Sequence, residues 1–250
     1  MDVERRGAVA LLRMRAGKAN AIGPAFLDAL QALLDSLVAV PPGALVLIGE
    51  GRAFSAGLDL PALVDLPEAA LTDFIHRFSA TMLRVFTLPF PVVAAVNGHA
   101  VAGGCVLALQ ADQRLMAQGE ARIGLNEVRL GIGLPVAVVE TLRCQVPAGS
   151  LFSVAAEGGL FTPDEALRLG LVHAVVSPEA LLERALERAT ALAALPSVAF
   201  AQVKASLRHP ALANIEAAGP TDAAGWVRTF AAPEAQRLLR DVVARLTKRG

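Results

Sequence analysis

Cysteine is scarce in this chain: Cys105 and Cys144 are the only two among 250 residues. Two cysteines make no disulfide framework at this length, and neither has the Cys or His neighbours of a zinc site, so a reducing compartment is expected. Excess charge of either sign is missing as well. Lysine and arginine number 23 and aspartate and glutamate 23, which removes the electrostatic footprint of a protein that binds nucleic acid or an anionic membrane surface. Apolar stretches are broken by Gly, Pro or charge before they reach bilayer length. The start, Met1-Asp2-Val3-Glu4-Arg5-Arg6, lacks the apolar segment of a signal peptide. The expectation is a soluble, cytoplasmic protein with no membrane or nucleic-acid partner.

What the chain has in quantity is apolar side chains, 54% against 18% charged. That is enough for a large core and more than a monomer of this size needs, so further apolar surface should be covered in an oligomer. Ala8 to Leu12, Ala44 to Ile48, Val92 to Val96 and Gln113 to Ala117 read as buried strands. Between them, Pro24 to Val38 and Leu71 to Phe86 have the 3-4 apolar spacing of amphipathic helices, the first with proline in its opening turn. Gly49 to Asp59 reads as a glycine-rich loop. This alternation implies an α/β fold with a mostly parallel, helix-covered sheet. After about Ser150 the strand signal fades. Thr162 is positioned to cap a helix that Gly170 closes, and Leu181 to Leu195, Ser197 to Leu207 and Ala223 to Lys248 read as helices. Residues 1–195 form the expected core and 196–250 a helical appendage within one folding unit.

Three segments carry residues suited to chemistry. Ala53-Phe54-Ser55-Ala56-Gly57-Leu58-Asp59-Leu60 follows a strand, and its small residues leave backbone N–H groups open to a ligand; an ordinary turn into a helix has the same composition. Asn97-Gly98-His99-Ala100-Val101-Ala102-Gly103-Gly104-Cys105 places two glycines where a helix begins. They offer unpaired N–H donors to an anionic oxygen, or simply let helix and sheet approach closely. Ile123-Gly124-Leu125-Asn126-Glu127-Val128-Arg129 sets one acid among apolar and small residues. Such a carboxyl has a raised pKa suited to proton transfer, unless it is a solvated loop residue or a partner of Arg129. Two convergent N–H donors and one carboxylate are the minimum set for chemistry through an enolate.

In order and spacing these blocks, with "LGIGLP" and "FTPDEALRLGLVHAVV" after them, resemble the crotonase (enoyl-CoA hydratase/isomerase) superfamily over nearly the full chain. The resemblance implies a crotonase-like ββα spiral with a C-terminal helical trimerisation region, assembled as a homotrimer or a dimer of trimers. It implies an oxyanion hole made by the backbone N–H groups of Leu58 and Gly103, and Glu127 as the catalytic carboxyl. An acyl-CoA thioester is the implied substrate, with coenzyme A part of the substrate and no separate cofactor or metal. Ala56, Gly57, Leu58, Asp59, Leu60 and Asn126, with Ala19 and Ala21, are the implied substrate contacts. Phe230 and Lys248 would meet the adenine end, while Trp226 reads as packing and Asp59 as a loop-orienting cap. Hydratases of the family have a second glutamate three residues after the oxyanion glycine; here that position is Val106. The pattern is therefore most similar to the Δ3-Δ2-enoyl-CoA isomerases, with hydratase, decarboxylase, thioester hydrolase or a non-catalytic acyl-CoA-binding subunit as the alternatives.

Overall fold

The computed structural model describes residues 1–17, 19–219 and 221–248, Thr247 by its backbone alone. The chain opens with a hairpin, β1 (Asp2–Arg6) and β2 (Val9–Met14), and helix α1 (Pro24–Ala39). One motif then recurs: a longer strand, a short strand and a helical segment. Its first pass is β3 (Ala44–Gly49), β4 (Ala53–Ser55), α2 (Leu60–Leu63) and α3 (Glu68–Phe86). The second is β5 (Val92–Val96), β6 (His99–Val101) and α4 (Gly103–Leu109). The third is β7 (Gln113–Ala117), β8 (Ile123–Gly124), a 3-10 turn at Glu127–Leu130 and α5 (Val136–Gln145). A second 3-10 turn at Ala148–Ser150 and a π-helical turn at Phe152–Ala156 lead to α6 (Pro163–Leu169), β9 (Ala174–Val176), α7 (Leu181–Ala193), α8 (Ser197–Ala218), α9 (Thr221–Phe230) and α10 (Pro233–Thr247).

The longer strands and β9 make a six-stranded sheet in the order β1-β2-β3-β5-β7-β9, antiparallel only between β1 and β2. The short strands make a separate parallel sheet, β4-β6-β8. This is the ββα spiral that the resemblance implied. It also explains why the strands of the large sheet read as unbroken apolar runs. Val9, Leu11, Val46, Ile48, Val93 and Ala95 face one side, where Leu181, Ala185 and Ala189 of α7 cover them. Ala10, Leu12, Leu45, Leu47, Ala94 and Val96 face the main core with Phe26, Leu30 and Phe78 from α1 and α3. A sheet buried on both faces has no polar side to alternate with.

Helix α6 starts and stops as its sequence demands. Thr162 Oγ1 accepts from the Glu165 N–H, Glu165 returns a bond to the Thr162 N–H, and Gly170 ends the helix at φ 74°. Elsewhere the expectations need correction. The Gly49 to Asp59 loop contains β4, β6 precedes α4, and β9 lies in the part expected to be helical. Helix α8 runs on to Ala218 with Pro210 inside it, and the expected single helix Ala223 to Lys248 is two, broken before Pro233. The tail also folds back on the core. Helix α9 packs on α3, α10 packs on α2 and the first 3-10 turn, and Arg240 pairs with Asp65. No single helix among the described residues is long and apolar enough to cross a membrane.

Candidate active site

The three segments singled out in the sequence meet because each one leaves a strand of the small sheet. β4, β6 and β8 are parallel neighbours, with Ser55 paired to Ala100 and Ala100 to Ile123. Adjacent strands lie about 4.8 Å apart, so residues just past their ends are brought side by side. Leu58, Gly103 and Glu127 follow those ends by three, two and three residues. All three line one cavity of about 350 Å³.

Backbone conformation here is specialised. Gly57 has φ +90°, and a Cβ on it would lie 2.7 Å from the Val101 carbonyl oxygen and 3.2 Å from the Gly103 nitrogen. Only glycine lets the two loops approach this closely. Ala102 holds a positive φ of 50° ahead of α4, its N–H donating to the Gly124 carbonyl at 2.9 Å. Such strain persists where surrounding contacts over-determine it, often at functional sites. The N–H groups of Leu58 and Gly103 donate to no protein acceptor among the described residues. The two glycines that open α4 divide the roles proposed for them. A Cβ on Gly104 would lie 2.1 Å from the Ser55 carbonyl oxygen, so this glycine serves close helix-sheet contact, whereas Gly103 borders the cavity.

Sequence reading missed the residue that fastens the Leu58 loop. Asn20 is buried, with its Oδ1 accepting from the Ala16 N–H at 2.8 Å and its Nδ2 donating to the carbonyls of Ala53 and Phe54 at 3.2 Å each. Ser55 Oγ donates back to the Asn20 carbonyl, and the Ala56 N–H to the Ala19 carbonyl. An asparagine between Ala19 and Ala21, both expected substrate contacts, was the available signal. Asn20 adopts φ 50°, a left-handed conformation asparagine tolerates well.

Glu127 begins the 3-10 turn. Its Oε2 is sealed from solvent without a hydrogen-bond partner, as is Oδ1 of neighbouring Asn126. Burial pushes the Glu127 carboxyl up from its ordinary 4.5 to about 7, because removing a carboxylate from water disfavours its charged form. Arg129 does not neutralise it; its Nε donates to the Glu157 carbonyl. Near neutral pH this group exists in both protonation states, as a proton shuttle requires.

Most of the expected contact residues are on the cavity wall: Ala19, Ala21, Ala56, Asp59, Leu60 and Asn126. Gly57 is buried and is not on the described wall. One reading needs correction. Phe230 is fully buried against Trp226, with ring centroids 4.9 Å apart, so it has no surface to offer a ligand. Trp226 packs as expected, stacked on Phe230 in the core, and in addition lines the cavity. Asp59, read as capping or orienting the loop, is the N-cap residue of α2, and its carboxylate makes no capping bond. Lys248 is exposed beyond α10 and off the cavity wall, where Val242 and Leu246 stand instead. His99 is occupied structurally, its Nδ1 accepting from the Arg122 N–H. Val106 presents an apolar side chain to the cavity, and Asp59 and Glu127 are the carboxylates on its described wall. A larger, open groove of about 760 Å³ along α7, bordered by Arg6 and Glu183, contains none of these residues.

A protein-family model described as enoyl-CoA hydratase/isomerase matches residues 4–240. Human mitochondrial enoyl-CoA delta isomerase 1 is 29% identical over 249 residues, 98% of this chain and 82% of that protein. The crystal structure of human mitochondrial Δ3-Δ2-enoyl-CoA isomerase superposes with a TM-score of 0.94 at 29% identity, covering 99% of this chain and 98% of that one. A Thermus thermophilus protein that carries the name enoyl-CoA hydratase is 41% identical over 178 residues, 70% of this chain and 68% of its own. A Mycobacterium tuberculosis structure described as an enoyl-CoA isomerase is 33% identical with a TM-score of 0.83, covering 89% of this chain and 96% of that one.

Proposed function

Because the chain belongs to the enoyl-CoA hydratase/isomerase family, whose members act on acyl-CoA thioesters, we propose that it moves the double bond of a 3-enoyl-CoA to the 2-position. The observation that carries this reading is the pairing of Glu127 with Val106. One carboxyl of raised pKa borders the cavity, and an apolar side chain stands where the hydratases of the family have their second glutamate.

In this reading the thioester oxygen accepts the N–H groups of Leu58 and Gly103. The carbonyl and the neighbouring double bond acidify the C2 protons, and Glu127 removes one. Negative charge moves onto the thioester oxygen, where each preorganised donor contributes about 3–4 kcal/mol, judged by the loss of one such donor in other enzymes. Glu127, now neutral, returns the proton at C4 and leaves the conjugated 2-enoyl thioester. Its pKa near neutrality suits both halves of this transfer. Val106 cannot orient or deprotonate water. Ala56, Asp59, Leu60 and Asn126, with the Ala19 and Ala21 loop, are the proposed contacts for substrate, and a homotrimer the proposed assembly. The reaction as proposed needs no metal or redox cofactor.

Hydration is the second reading, favoured by the name of the Thermus relative and by Asp59 on the cavity wall. Spectrophotometric rates on a 3-enoyl-CoA and on crotonyl-CoA separate the two. Isomerisation should run at least a hundredfold faster than water addition; comparable rates would end the argument from Val106. Glu127→Gln should abolish isomerisation while calorimetric binding of acyl-CoA persists. Turnover within tenfold of the parent, about 1.4 kcal/mol of barrier, would transfer the base to another residue, with Asp59 first to examine.

A further inference from the structure

The buried apolar side chains on the cavity wall include Ile75 and Phe78 from α3, Val138 from α5 and Trp226 from α9. The outer residues differ. Ala56 and Pro61 are exposed, and Leu246 keeps 52% of its surface. Of the four buried wall residues the tryptophan is the largest.

Trp226 is also held in place. Its indole stacks on the fully buried Phe230 ring at an interplanar angle of 28°. The helix that carries it is tied to the segment between the 3-10 turn and α5 at two points. Thr229 Oγ1 accepts from the Gly133 N–H at 2.9 Å, and the Asp222 carboxylate accepts from the Val136 N–H at 2.9 and 3.0 Å. A buried ring stacked on the indole and a helix pinned at two points restrict its movement.

We infer that Trp226 sets the acyl-chain length this site accepts and limits its substrates to medium-chain thioesters. The inference rests on the acyl-CoA reading above and deepens it. A dry cavity of about 150 Å³ holds a molecule of benzene's size. The 350 Å³ here is a little over twice that and includes the open mouth, a space on the order of a medium-length acyl chain beside its thioester. The four residues carry no charge, and apart from the indole N–H of Trp226 they offer a chain terminus only apolar contact. A straight hydrocarbon end is the chemistry they fit.

The test is a chain-length series of 3-enoyl-CoA substrates from six to sixteen carbons, run on the parent, Trp226→Leu and Val138→Ala. The readout is the ratio of long- to short-chain kcat/KM, which a general loss of folding would not raise. In the parent, kcat/KM should fall at least tenfold between ten and fourteen carbons. Trp226→Leu should raise the ratio tenfold or more, and Val138→Ala, a smaller opening in the same wall, should raise it less. A parent that handles sixteen carbons as well as eight would overturn the inference, as would a ratio unmoved in both variants. Calorimetric binding of saturated acyl-CoA esters over the same lengths separates this from the reaction assignment. If no 3-enoyl-CoA is turned over but binding shows a cut-off that Trp226→Leu lifts, the isomerase reading fails and the length limit stands. If binding shows no cut-off, the length limit fails whatever the reaction.

Discussion

Replacing Glu127 by glutamine removes a carboxyl that the fold holds against its own ionisation. Its pKa is about 7 in the folded protein against an ordinary 4.5. Between those values the native state binds more protons than the unfolded chain, so stability falls as pH rises. The contribution of this group is fully present below about pH 4.5 and is lost as pH passes through about 7. At 1.36 kcal/mol per pH unit, the rise from 4.5 to about 7 makes that loss roughly 3 kcal/mol above pH 8. Glutamine has nearly the same shape and no charge at any pH. The variant should therefore match the parent within about 0.5 kcal/mol at pH 4.5 and exceed it by about 2–3 kcal/mol at pH 8.5. Urea unfolding curves of both proteins, at one protein concentration and at intervals across that range, measure the difference directly. A gap that stays constant with pH would show that burial does not set the titration of Glu127. A gap that narrows toward high pH would reverse the sign of the reasoning.

Asn20→Ala deletes three hydrogen bonds behind the Leu58 loop. It should cost on the order of 3 kcal/mol in unfolding and lower kcat more than it raises KM, both read from one preparation. The adjacent glycines of α4 should respond differently. Gly104→Ala drives a methyl into the Ser55 carbonyl at 2.1 Å and should yield little folded protein. Gly103→Ala meets Leu58 Cδ2 and Phe78 Cε2 at only 3.3 and 3.4 Å, so it should fold and lose activity. Val106→Glu should raise the ratio of hydration to isomerisation, measured on crotonyl-CoA beside a 3-enoyl-CoA, at some cost in stability from a second buried carboxyl. In the parent, kcat/KM for isomerisation should climb with pH and level off above about 7, as the free base Glu127 becomes ionised.

What the sequence determined by itself was local pattern and residue chemistry. The core strands announced themselves because a sheet covered on both faces needs continuous apolar residues. Helix α6 was legible from Thr162, Glu165 and Gly170, each fulfilling a capping role within its own few residues. Motif resemblance picked out Leu58, Gly103 and Glu127. The reason they belong together lay in β4, β6 and β8, strands of three residues or fewer. Segments so short display no period and exist only because each pairs with its neighbour. Tertiary structure also decided the tail. Pro233 divided one apparent helix into two, and the rotation of α9 gave the cavity wall to Trp226 and the core to Phe230. Both aromatics have the same apolar pattern in one dimension. Which of two neighbouring rings meets a ligand depends on how a helix is pinned to elements some ninety residues away, here through Gly133–Thr229 and Val136–Asp222, and no local spacing encodes that. The pKa of Glu127 is of the same kind, because its cause is the absence of water around one oxygen, and water is excluded only by the assembled fold.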